Sequence, residues 1–140
     1  MPLFTVCLNH LNPGVYDFGF IDARKYYGDL YIVLALARPT GQGWWVANPS
    51  GYAMGDAKNL TSFAGGLEAI IDFGSTFLLM QQQYCDVYYA KAPSVVDNSH
   101  YGYILPCKDI LPDLTRAIGS YEVKIAGSML QGVNLNSISE

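Results

Sequence analysis

The chain has 140 residues, of which 51% are hydrophobic, 14% aromatic and 14% charged. That is enough for one domain with a sizeable core, and it excludes a disordered or tail-like protein. Eight Lys and Arg against twelve Asp and Glu leave a net charge of −4 with no basic cluster to neutralise phosphates, which excludes a nucleic-acid partner.

Apolar stretches such as 31–37 and 77–80 fall far short of the roughly 20 residues that span a bilayer, so no membrane partner is expected. At the start, residues 1–8 run directly into Asn9-His10 without a basic region or a small-residue cleavage site, which predicts a cytoplasmic chain. In chain order, short runs rich in Val, Ile, Tyr and Phe predict strands over 5–8, 15–21, 30–37, 44–47 and 67–72. From Gln81 the pattern changes: Tyr84, Val87, Tyr88 and Lys91 fall at helical spacing, which predicts one short amphipathic helix over 81–91. Strands follow over 101–105, 114–118 and 121–125. The last two are joined by Gly119-Ser120, a two-residue connection suited to a type II′ hairpin. Beyond it Tyr121, Val123 and Ile125 alternate with Glu122 and Lys124, as a strand with one buried face requires. The expected fold is all-β with one short helix. A single domain covers residues 1–130 and a polar tail covers 131–140.

Cys7, Cys85 and Cys107 form no CxxC pair and read as free thiols. Pairings such as Cys7 with His10 or His100 with Cys107 lack the second half that zinc needs, so neither a metal nor a cofactor is expected. The tyrosine pairs Tyr26-Tyr27 and Tyr88-Tyr89 fit a ligand site or plain strand packing.

Four segments in order carry a resemblance. They are Pro13-Gly14-Val15-Tyr16-Asp17-Phe18-Gly19-Phe20-Ile21-Asp22, Ile70-Ile71-Asp72-Phe73-Gly74-Ser75-Thr76-Phe77-Leu78-Leu79, Gly102-Tyr103-Ile104-Leu105-Pro106-Cys107 and Leu111-Pro112-Asp113-Leu114. Together they resemble the C-terminal lobe of fungal pepsin-like aspartic proteases across roughly residues 2 to 130. The resemblance implies a single, incomplete pepsin-like lobe of packed antiparallel sheets. It implies that Asp72 corresponds to the catalytic aspartate of the Asp-Thr-Gly motif and Ser75 to the hydroxyl residue beside its carboxylate. Gly74 keeps the tight turn. Phe73 departs from the pattern, standing where the family has a threonine or serine whose hydroxyl ties two active-site loops together. The family's final strands are also expected to be missing after Met129-Leu130.

Pepsin-type chemistry requires two carboxyls sharing one proton, and this chain holds no second Asp-Thr-Gly or Asp-Ser-Gly. Flanked by Ile70, Ile71, Phe73 and Phe77, Asp72 is expected in an apolar cleft that raises its pKa and lets it act as an acid near neutral pH. The leading expectation is therefore a non-proteolytic enzyme. It would bind an apolar small molecule against Phe73, Gly74 and Phe77 and catalyse a cyclisation or isomerisation through Asp72, with Ser75 orienting it. A homodimeric aspartic endopeptidase and a catalytically dead binding module or protease partner are the alternatives. Exposed sheet edges predict a homodimer or a protein partner covering the missing strands.

Overall fold

The computed structural model describes residues 3–9, 11–33, 35, 43–92 and 94–132. The chain divides into two compact units, residues 1–32 and 33–140.

The first unit is built on a hairpin of β1 (Phe4–Asn9) and β2 (Asn12–Phe18), with Phe4 opposite Phe18 and Val6 opposite Tyr16. The strand expected over 15–21 starts earlier and stops at Phe18, because Gly19 turns the chain with φ at +85°. Gly14 is fixed by space: a Cβ there would lie 2.5 Å from the Cys7 carbonyl oxygen on the facing strand. Asp22 then caps a single 3-10 turn over Ala23–Lys25. Its carboxylate accepts from the Arg24 backbone N–H at 3.1 Å and from the guanidinium at 2.9 and 2.8 Å, which holds its pKa down at about 2.

The second unit carries the remaining elements in the order β3 (Val46–Ala47), β4 (Pro49–Met54), β5 (Thr61–Ser62), β6 (Ala69–Ile70) and α1 (Gln82–Tyr89). They are followed by β7 (Val96–Asn98), β8 (Gly102–Ile104), β9 (Leu114–Ile118) and β10 (Tyr121–Ile125). Its main sheet is antiparallel in the order β10-β9-β4-β5, while β3 pairs with β6 and β7 with β8. The core lies where β4, β9 and α1 meet, and it is built largely of rings. Tyr52 of β4 and Tyr84 of α1 both pack on Phe63, at 5.0 and 4.9 Å between ring centres, and Leu111 and Leu114 complete the cluster. Tyr84 and Tyr88 are one helical turn apart and both buried, and the Tyr88 hydroxyl donates to the Pro112 carbonyl at 2.6 Å. Burial pushes the Tyr88 phenol up to about 12.

The fold is all-β with one short α-helix, as the sequence predicts. The hairpin of β9 and β10 has the predicted bounds, and Gly119 supplies the positive φ of +61° that its turn needs. The helix is one residue shorter at its start and two at its end than expected. The interior strand β4 was not predicted. In Pro49-Ser50-Gly51 the glycine lies where a Cβ would come 2.8 Å from the Thr61 carbonyl oxygen of β5. Of the strand expected over 30–37, positions 34, 36 and 37 lie outside the described residues, and those described form no ladder. Of the tail, residues 133–140 lie outside them as well.

Candidate functional site

β3 and β6 pair for only two residues, and the Ile71 N–H then donates to the Trp45 carbonyl at 2.8 Å. There the strand expected over 67–72 ends and the chain turns through Asp72-Phe73-Gly74-Ser75. The turn closes on the Asp72 carboxylate. One oxygen accepts the Gly74 backbone N–H at 2.7 Å, and the other accepts a short hydrogen bond from the Ser75 hydroxyl. A Cβ at Gly74 would lie 3.3 Å from that first oxygen, so glycine lets the amide approach the carboxylate closely.

Both hydrogen bonds favour the ionised carboxylate, the Ser75 hydroxyl most and the Gly74 amide next, and they hold the Asp72 pKa below its ordinary value. This corrects the expectation of a raised pKa in an apolar cleft. Asp72 is exposed, and the apolar neighbours do not enclose it: Ile70, Ile71, Phe73 and Phe77 are themselves 53%, 47%, 44% and 63% exposed. Desolvation is the smallest influence on this carboxyl, so the group is a base or hydrogen-bond acceptor near neutral pH, not an acid.

Asp72 and Ser75 line a groove of about 560 Å³. Its walls are mainly apolar, with Trp44, Phe77 and Leu78 prominent, and its volume falls in the range of ordinary small-ligand sites, roughly 300–1,000 Å³. Of the residues expected to touch substrate, Phe77 lines this groove, whereas Gly74 serves the carboxylate and Phe73 lies outside the lining. Glu68 lines the same groove. Asp22 belongs to the first unit and is engaged by Arg24. A second cavity of about 360 Å³ shares Phe77 and Leu78 and reaches Cys85, whose thiol is pushed up by burial. Among the described residues no three His, Cys, Asp or Glu side chains gather as metal ligands would.

Sequence reasoning missed Arg116. It sits on the interior strand β9 between Tyr52 of β4 and Val123 of β10, is 8% exposed, and lines the groove with Asp72. Its guanidinium lies over the Phe63 ring at 5.3 Å, and burial lowers its pKa. The signal was present. In Leu-Thr-Arg-Ala-Ile, Arg116 occupies the same parity as Leu114 and Ile118, so a charge falls on the apolar face of the strand.

A sheet protein that presents one carboxylate, cradled by a serine and a glycine amide at an apolar groove, has the kind of site that acid–base hydrolysis uses. The family model described as eukaryotic aspartyl protease matches residues 1–137, and the chain belongs to that family. It is 37% identical over 137 residues to penicillopepsin-2 of Penicillium janthinellum, covering 97% of this chain and 33% of that protein. To penicillopepsin-1 of Talaromyces stipitatus it is 36% identical over 137 residues, 97% of this chain and 34% of the relative. Aspergillopepsin-1 of Aspergillus oryzae is 35% identical over 130 residues, 92% of this chain and 32% of the relative. The chain thus spans about a third of the length of the curated relatives it matches.

Proposed function

We propose that the chain supplies the basic half of an aspartic-peptidase-type site and holds an apolar peptide segment in the groove beside Asp72. The observation that carries this reading is the pair of hydrogen bonds that keep Asp72 ionised while it faces solvent. In two-carboxyl hydrolysis the ionised member takes a proton from water as the water oxygen attacks the peptide carbonyl. The protonated member gives its proton toward the carbonyl oxygen, and the amine then leaves with a proton. Asp72 fits the first role. The second carboxyl comes from a facing lobe, in a second copy or a longer chain.

The direct test is cleavage of a denatured protein by the purified chain from about pH 3 to 7, the range over which carboxyls near ~4 change charge. Cleavage is expected at the acid end and is lost, by at least about a hundredfold, in Asp72→Asn, since positioned acid–base groups contribute roughly 10² to 10⁴ in rate. Absence of cleavage by a folded chain at every pH would end the peptidase reading.

Phe73 favours a second reading. Its ring, 44% exposed beside Asp72, brings no hydroxyl to tie one active-site loop to another. In this reading the groove takes an apolar small molecule, and Asp72 acts alone as a base in a cyclisation or isomerisation without hydrolysis. Turnover of such a molecule that survives Asp72→Asn would remove its central residue.

A further inference from the structure

Two polar side chains beside the core lack hydrogen-bond partners among the described residues. Arg116 is 8% exposed as a residue, and among those residues its guanidinium makes no hydrogen bond and no ion pair; its contact is the face of Phe63 at 5.3 Å. The Tyr84 hydroxyl, whose ring stands edge-on to the same Phe63 at 4.9 Å, is buried without a hydrogen-bond partner among those residues. A cation left with little access to water and with no carboxylate paired to it is poorly compensated, and an anion that reached it would complete it. Arg116 is also placed to be reached, because it lines the groove that Asp72 and Ser75 line.

We propose that Arg116 is the anion receptor of this groove and that the natural ligand is an apolar molecule or peptide bearing a single carboxylate, which the guanidinium binds as a fork. The proposal rests on reading the groove as a substrate site, but it does not depend on whether peptides are cleaved there. The apolar walls select the class of anion, because a dianionic phosphate gives up far more hydration on entering them than a monoanion does. A monoanionic carboxylate instead gains the two parallel N–H···O bonds that a guanidinium offers. The apolar walls Trp44, Phe77 and Leu78 fit the body of such a ligand. Arg116 thereby sets specificity and orients the ligand, while Asp72 remains the group available for chemistry.

Calorimetric titration of the full 140-residue chain tests this with two matched pairs of probes, octanoate against octan-1-ol and an acetylated Leu-Val-Phe peptide with a free C-terminus against its amide. The acid of at least one pair is expected to bind at least tenfold more tightly than its neutral partner, and the pair that shows the preference identifies a free acid or a peptide as the source. Arg116→Met erases the preference while neutral-probe affinity is kept, which also reports an intact groove, and Arg116→Lys retains part of it. Asp72→Asn keeps or strengthens the preference, because removing a carboxylate does not weaken the hold on an anion. Failed cleavage with the acid preference intact would therefore sink the peptidase reading alone. Equal affinities in both pairs, no binding by any probe, or a preference that persists in Arg116→Met would overturn the proposal.

Discussion

Asp72 and Arg116 show how neighbouring groups decide what a charge can do. Asp72 is surrounded in sequence by apolar residues, which suggested a desolvated acid. Its own turn instead delivers the Ser75 hydroxyl and the Gly74 amide, and these two donors outweigh the neighbours. Arg116 is the converse, a cation on a strand face that the sequence reads as apolar, with the Phe63 ring beneath it. The Tyr84 hydroxyl belongs to the same set, buried without a hydrogen-bond partner among the described residues. Tyr84→Phe keeps the ring that packs on Tyr52 and Phe63 and removes the orphaned oxygen. The variant is expected to gain about 1 kcal/mol in urea unfolding, because an unsatisfied buried hydroxyl costs roughly 1–3 kcal/mol. Destabilisation by as much would mean that the hydroxyl has a partner.

The elements that position the site differ in how far the sequence announces them. The β9–β10 hairpin was fully legible, since a positive-φ glycine at a two-residue turn and clean alternation are local signals. β4 was not legible, because its Pro and Gly act through neighbours: Gly51 is needed for the approach of β5, a contact between residues ten apart. Behind the hairpin, Asp113 ties the strands to the following 3-10 turn over Gly127–Met129. Its carboxylate pairs with Lys124 at 2.8 Å and accepts the Gly127 N–H at 3.0 Å. A Cβ at Gly127 would lie 1.8 Å from the Leu111 carbonyl oxygen, and backbone cannot yield as a flexible side chain does. Gly127→Ala is therefore expected to lose about 1–3 kcal/mol in urea unfolding, the usual cost of overpacking. A loss below about 0.5 kcal/mol would show that the turn is not held against Leu111.

At the scale of the molecule, the family was legible because four separated motifs keep their order, and Asp72 and Ser75 could be placed by position within one of them. The protonation state of Asp72 was not legible, because it depends on whether the groove encloses the carboxyl or leaves it in water. Arg116 escaped for a related reason: its approach to the Asp72 groove is made by β9, more than forty residues along the chain. Asp72 is an ionised carboxylate that its own turn holds ready. Its folded pKa lies below its unfolded one, so its contribution to stability is complete above the unfolded value, ~3.9, and is lost as pH falls through the folded value. The measurement that tests this most directly is the pH titration of the Asp72 carboxyl carbon by NMR, in the full chain and in Ser75→Ala. The expected midpoint lies below ~3.9 in the full chain and moves upward when the Ser75 hydroxyl is removed. A midpoint above about 5, or one indifferent to Ser75, would contradict the account and return Asp72 to the role of a desolvated acid.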